Sequence, residues 1–319
     1  MNIPDGLIIA AQITFGFIML FLGGNWLVDG SVALAHRLRI SPLVIGLTIV
    51  AFGTSAPELI VSLTSAIKGN SGIAMGNVLG SNIANIGLIL GLTALIYPIA
   101  THGRKVAANG LIMVAMSGVL LLFSLRDGLT RIEGVMLAAL LVIFTVISVA
   151  KGRTGGSGDA ATGSAKVKSL SLAAALLYII VACVLLPLGA NLLVNGATSL
   201  ASSMGVSDKV IGLTIVAFGT SLPELAASVA AALKKEMDIS IGNIIGSNIF
   251  NILCVLGISA SIKPISFGFG QYMRDFVVMI LFSVALVLLT QPWKQSGRLG
   301  RLSGFLLFAA YVVYVRFLF

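Results

Sequence analysis

The sequence predicts an all-α integral membrane protein, with about ten transmembrane helices arranged as two inverted-topology repeats of five. Three observations carry the prediction: a composition that water could not dissolve, a series of long apolar segments, and a near-verbatim internal repeat. Of the 319 residues 58% are hydrophobic and only 10% charged, with a mean hydropathy of +1.08. Soluble chains carry about 25% charged residues, so this chain lacks the polar surface to cover itself and its solvent is lipid. A net charge of +9 would point to nucleic acid in a soluble domain; in a membrane protein it reflects basic residues gathered in cytoplasmic loops, and no nucleic-acid partner is expected.

Apolar runs between polar punctuation give ten segments, roughly 6–28, 42–67, 72–97, 106–125, 132–150, 169–193, 209–232, 239–262, 275–290 and 301–318. A span needs about 20 apolar residues. The N-terminus lacks a basic leader and a small-residue cleavage site, so it reads as the start of the first span. The one long connection, 151–168, is KGRTGGSGDAATGSAKVK, a flexible basic linker by composition. With the N-terminus outside, 13 of the 20 Lys and Arg fall on the cytoplasmic side, which places both termini outside and the linker in the cytoplasm. Cys183 and Cys254 sit in apolar runs without C-x-x-C spacing and read as small packing residues.

One constant offset, without a gap, lays LGGNWLVDGSVALA (22–35) on LGANLLVNGATSLA (188–201). It lays IGLTIVAFGTSAPEL (45–59) on IGLTIVAFGTSLPEL (211–225) with 14 of 15 identities, and GNVLGSNIANIGLILG (76–91) on GNIIGSNIFNILCVLG (242–257) with 10 of 16. Residues 1–150 and 169–319 are therefore two copies of one unit. Five spans per unit is an odd number, so the second copy enters the membrane from the opposite side, an architecture common among secondary transporters.

Eleven acidic residues are present, and nine read as lying in or beside loops and span ends. Glu58 and Glu224 alone fall well inside apolar segments, at equivalent places in the two copies. A carboxylate there costs at least ~2.5–3.5 kcal/mol on insertion scales and marks a functional cavity. Pro57 and Pro223 break each helix beside its Glu, and Gly53 and Gly219 permit irregular backbone. Carbonyls freed near Ala51, Thr54, Ala217 and Thr220 can turn inward, joined by the Ser55 and Ser221 hydroxyls. The next span of each copy carries a polar stripe at i, i+4, i+8: Asn77, Ser81, Asn85 and Asn243, Ser247, Asn251. Ser81, Asn85, Ser247 and Asn251 read as ligands; Asn77, Asn82, Asn243 and Asn248 read equally as ligands or as interhelical hydrogen bonders. Gly76, Gly80, Gly242 and Gly246 form small-xxx-small pairs for close helix approach. His36 and His102 lie in basic loops, so the ligand set is all oxygen. Such a set suits hard cations, Ca²⁺ or Na⁺.

The doubled G-T-S-x-P-E and doubled G-N-x-x-G-S-N-I-x-N resemble the α-repeats of the cation/calcium exchanger superfamily, in its bacterial calcium/sodium antiporter branch, over nearly the whole chain. The resemblance implies that Glu58 and Glu224 bridge the ions, that the backbone of Ala51, Thr54, Ala217 and Thr220 lends carbonyls, and that Ser55, Ser221, Ser81, Ser247, Asn85 and Asn251 complete neighbouring Na⁺ and Ca²⁺ positions. It implies a secondary antiporter of the cell's inner membrane, each repeat being one exchanger membrane region, with no cofactor and as a monomer or weak homo-oligomer. One departure stands out: the better-understood sodium/calcium exchangers carry Asp where this chain has Asn251, so their stoichiometry does not carry over. Proton/calcium relatives often have His at the Asn positions; this chain has none, which favours Na⁺ as counter-ion. A proton-coupled or K⁺-dependent Ca²⁺ exchanger is the alternative on the same scaffold, and a cation channel a further one. An intramembrane enzyme is not expected, because neither paired Asp nor H-E-x-x-H occurs in a span.

Overall fold

The computed structural model describes residues 3–101, 103–154, 170–206, 217–291, 293 and 297–318. Helix α1 (Ile3–Leu38) is followed by α2 (Pro42–Thr54) and α3 (Ala56–Ile67), a single apolar run bent by 48° at Ser55. Then come α4 (Ser71–Ile96), α5 (Gly103–Ser124) and α6 (Arg131–Thr154). The second half contains α7 (Leu172–Ser203), α8 (Ala217–Gly219), α9 (Leu222–Leu233), α10 (Met237–Ile262), α11 (Phe269–Leu289) and α12 (Arg301–Arg316). Seven of these are long and apolar enough to cross a membrane by themselves, and the bent α2–α3 pair makes an eighth. Helix α9, with 12 residues, and α12, with 16, are shorter than a full span.

Two layers follow from what each helix buries. Helices α4 and α10 are the centre, with 72% and 94% of their most apolar window buried. The other full-length spans bury only 17–33% of theirs and leave apolar faces bare, as a lipid-facing ring must. Helix α1 lies antiparallel along α7. Gly16, Gly23 and Gly30, spaced at heptad intervals, allow the approach: a Cβ at Gly16 would sit 2.7 Å from the Leu193 backbone nitrogen, and one at Gly30 2.7 Å from the Ala175 carbonyl. Between apolar helices in lipid, close packing of this kind supplies much of the attraction.

Short extended segments tie the halves together. Strand β1 (Ile99–Thr101) pairs antiparallel with β4 (Gly297–Leu299), and β2 (Gly128–Leu129) with β3 (Ile265–Ser266). Helix α6 begins with a capping box, in which the Thr130 hydroxyl accepts from the Glu133 N–H at 3.3 Å and Glu133 Oε2 accepts from the Thr130 N–H at 2.8 Å. It ends at Thr154, so four residues assigned by composition to the linker are helical; 155–168 lie outside the described residues.

Two acids expected in or beside loops lie within helices. Helix α1 continues well beyond the apolar segment, which places Asp29 within it, a quarter exposed and 2.7 Å from Lys234 Nζ. Asp275 lies in the second turn of α11 and accepts from the Tyr314 hydroxyl at 2.8 Å. Glu236 does lie in the loop just ahead of α10, as expected, and is buried there. A helix keeps its backbone bonds past the edge of its apolar stretch wherever a neighbour satisfies the polar side chains.

Candidate functional site

The two broken helices meet the two central helices in the middle of the molecule. In the first half the break falls at Ser55, between α2 and α3, and Pro57 sits in the first turn of α3, where its missing N–H leaves no bond unmade. Glu58 is in the same turn and is fully buried. The second half repeats this with Ser221 before α9, Pro223 in its first turn, and Glu224 at 1% exposure. A helix N-terminus favours negative charge, so each carboxylate is placed where the backbone dipole helps to carry it.

Each Glu-bearing helix is clamped to the central helix that follows it. Asn77 Nδ2 donates to the Ser62 hydroxyl at 2.9 Å and to the Glu58 carbonyl at 3.3 Å. Asn243 Nδ2 donates to Ser228 at 3.0 Å and to the Glu224 carbonyl at 3.4 Å. Asn77 and Asn243 thus spend their amide protons on the scaffold. The sequence reading missed Ser62 and Ser228, although each stands one turn after its Glu, on the same helix face, and the two coincide when the repeats are overlaid.

Across the halves, the Ser55 hydroxyl donates to Glu224 Oε1 at 3.1 Å. Thr54 Oγ1 donates to Asn243 Oδ1 at 3.2 Å and lies 3.4 Å from Ser247 Oγ. Ser247, Ser81, Ser55 and Ser221 are all buried. The Ala51 carbonyl accepts the Ser55 N–H at 3.0 Å, so the break at Ser55 does not free it; at 3.3 Å it is also the alternative acceptor for the single Thr54 hydroxyl proton. Thr220 is half-buried at the second break, and Ala217 begins α8, its side chain lying outside the description. His36 is exposed at the end of α1, and His102 lies outside the described residues.

Asn85 and Asn251 each open a π-helical turn, Asn85–Leu90 and Asn251–Leu256, that no residue pattern announced. Such turns recur at functional positions. Asn85 Nδ2 donates to Asn248 Oδ1 and Asn251 Nδ2 to Asn82 Oδ1, both at 3.0 Å. What remains are the oxygens. Glu58 Oε1 and Oε2, Glu224 Oε2, Asn85 Oδ1 and Asn251 Oδ1 are buried without a hydrogen-bond partner among the described residues. Buried carboxylate and amide oxygens are ordinarily satisfied, and five unsatisfied ones on four repeat-related side chains form an acceptor-only set. A hard cation is the chemical complement of that set.

Apolar helices wrapped around such a buried polar centre define a multi-pass membrane protein of the transporter class. The sodium/calcium exchanger protein family model matches residues 8–150 and 174–319, and the chain belongs to that family. CaxA of Alkalimonas amylolytica is 40% identical over 307 residues, covering 95% of this chain and 96% of its own. The sodium/calcium exchanger MaX1 of Methanosarcina acetivorans is 32% identical over 352 residues, covering 97% and 99%. Among solved structures, the sodium-calcium exchanger NCX_Mj soaked without Na⁺ and Ca²⁺ superposes with a TM-score of 0.84 at 32% identity, over 97% of this chain and 98% of that one. The chain is thus a cation/calcium exchanger by family and fold, a transporter and not a member of an enzyme family.

Proposed function

We propose that this protein exchanges Ca²⁺ for Na⁺ across the inner membrane by alternating access, with Glu58 and Glu224 holding the ions at mid-membrane. The five unpartnered oxygens carry the reading. Two carboxylates balance one Ca²⁺, and Asn85 and Asn251 add neutral oxygens from opposite sides. Ser55, Ser81, Ser221 and Ser247 flank the centre as hydroxyls for neighbouring Na⁺ positions, and the backbone of Thr54 and Thr220 lends carbonyls. The Ala217 carbonyl completes the set, and that of Ala51 joins it through the lone pair left beyond its bond to the Ser55 N–H.

Ten spans in two inverted repeats, 1–150 and 169–319 joined by a cytoplasmic 151–168, account for the antiparallel packing of α1 on α7 and for hydrogen bonds that recur in reciprocal pairs. On this reading both termini lie outside and the protein works as a monomer or weak homo-oligomer. Helix α1 packs along α9, where a Cβ at Gly24 would lie 2.8 Å from the Ala226 carbonyl. The corresponding helices α7 and α3 do not pack along each other. The site is then sealed toward the cytoplasm and reached from outside, and movement of the α1–α7 pair across the core reverses this. An empty site with two uncompensated carboxylates resists that movement, which enforces exchange over leak.

In proteoliposomes loaded with Na⁺, an outward Na⁺ gradient should drive ⁴⁵Ca²⁺ accumulation, while a pH gradient in Na⁺-free medium should not. Accumulation driven by the pH gradient alone would replace Na⁺ with protons in this reading. An absolute need for K⁺ would make the protein a K⁺-dependent exchanger, and single-channel currents would make it a channel.

The Asp29–Lys234 pair, with the Asn25 carbonyl also accepting from Lys234 at 3.0 Å, fastens α1 to the end of α9 on the sealed side. The equivalent positions 195 and 68 are Asn and Lys, so the second copy has no such charge pair. A partly exposed pair is worth up to about 1 kcal/mol. Asp29→Asn should therefore raise the rate at which a cytoplasmic thiol reagent labels Ala226→Cys by up to about fivefold, measured in a background lacking Cys183 and Cys254.

A further inference from the structure

The four amides at the crossing of α4 and α10 form a chain with a fixed polarity. It starts from a group that can only accept, the Asn248 backbone carbonyl, which takes a hydrogen bond from Asn82 Nδ2 at 3.3 Å. Asn82 Nδ2 also faces the Met279 sulfur at 3.5 Å, another acceptor. With its NH₂ committed on both counts, Asn82 must present Oδ1 on the other side, and there it accepts from Asn251 Nδ2 at 3.0 Å. That contact commits the NH₂ of Asn251 in turn, so Asn251 Oδ1 is left buried and unpartnered.

The same sequence runs from the other half. Asn248 Nδ2 faces the Met113 sulfur at 3.3 Å, Asn248 Oδ1 accepts from Asn85 Nδ2 at 3.0 Å, and Asn85 Oδ1 is the atom left over. Met113 and Met279 again hold equivalent positions in the two repeats. An amide can rotate half a turn with almost no change of shape, and in the wrong sense it would aim two protons at the cation. A thioether or a carbonyl opposite Asn82 and Asn248 forbids that sense, because acceptor would face acceptor.

We propose that Asn82 and Asn248 are positioning residues: they do not touch the ion, but they lock the amides of Asn251 and Asn85 with oxygen toward it. The proposal rests on the ion site described above. It also explains the placement of each clasp across the repeats, since the residue that aims one half's ligand belongs to the other half. Loss of a group that orients a metal ligand ordinarily costs about 10–100-fold in affinity.

The test is a pair of double-mutant cycles on the purified full-length protein, read by equilibrium Ca²⁺ binding with thermal melting alongside. Asn82→Ala should weaken Ca²⁺ binding about tenfold, yet less than about twofold when Asn251 is already Ala, because no amide remains to aim. Asn248→Ala should couple in the same way to Asn85→Ala. A role confined to holding helices together would lower the melting temperature and move affinity equally in both backgrounds, and that outcome overturns the proposal. So does wild-type affinity in Asn82→Ala. If Asn82→Ala fails to fold, the Asn248–Asn85 cycle and Asn82→Ser give the same decision. Glu58→Gln separates the two levels: unchanged binding in that variant removes the ion site itself, whereas lost binding there with wild-type binding in Asn82→Ala removes only the clasp.

Discussion

Glu58→Gln and Glu224→Gln should each abolish Na⁺-gradient-driven ⁴⁵Ca²⁺ flux while leaving a folded protein. The substitution keeps volume and replaces one carboxylate oxygen by an NH₂. Two unit charges about 4 Å apart interact by about 4 kcal/mol at an effective dielectric constant of about 20, and a divalent ion in contact with the oxygen feels more. Removing one charge therefore weakens Ca²⁺ binding by roughly a thousandfold or more. Folding should respond in the opposite direction. Glu58 has both oxygens buried without a partner among the described residues, and Glu224 lacks one for Oε2. An unpaired buried carboxylate opposes folding, so Glu58→Gln should melt at or above the wild-type temperature in ion-free buffer. Glu224→Gln retains an acceptor for the Ser55 hydroxyl and should behave similarly. The loss specific to the variants is stabilisation by ligand: added Ca²⁺ should raise the melting temperature of wild type and of neither variant. Flux at the wild-type level in both would remove the two carboxylates from the mechanism.

The acidic pair was legible because lipid makes the exceptional residue conspicuous. In a chain with so few charges, two Glu deep in apolar runs at matching points of the repeat can be found by position alone, and the neighbouring Pro and Gly announce the break that the structure places at Ser55. Where the apolar pattern stops, legibility stops too. Hydropathy ends the first span near residue 28, yet α1 runs to Leu38, because Asp29 finds Lys234 in the other half of the chain and the helix has no need to end. The π-helical turns at Asn85 and Asn251 depend on backbone register, for which no side chain is a marker. Asn77 and Asn82 could be placed near the site but not assigned a task. Whether an Asn offers oxygen or nitrogen to a cavity is decided by what lies on its other side, and for Asn82 that is a carbonyl and a sulfur from the other half of the chain. The sequence reading also counted Gly242 and Gly246 as packing residues without saying what they pack against. Their partner is α2.

That contact yields the other large expected effect. Helix α10 crosses α2 with backbone against backbone: a Cβ at Gly246 would lie 2.6 Å from the Leu47 carbonyl oxygen and 2.7 Å from the Ala51 Cβ, and one at Gly242 2.7 Å from the Leu43 carbonyl. Across the crossing, a Cβ at Gly46 would be 2.8 Å from the Ile239 carbonyl. Because the atoms met are mostly backbone, no rotamer change relieves the clash, and only separation of the helices can. Overpacking of a tight core costs about 1–3 kcal/mol, and Gly246→Val should reach or pass the top of that range, seen as a loss of monodisperse protein or a strongly lowered melting temperature. Gly246→Ala is the more informative variant. It forces the same helices apart by less, and those helices carry Thr54 on one side and Asn243 and Ser247 on the other, joined at 3.2 and 3.4 Å. A displacement that the fold survives would therefore still open the wall of the proposed site, and Gly246→Ala should lose Ca²⁺ affinity in excess of its loss of stability. Wild-type melting and flux in Gly246→Val would mean that α2 and α10 are not held in contact, and that the cross-repeat bonds of Thr54 are not what shapes the cavity.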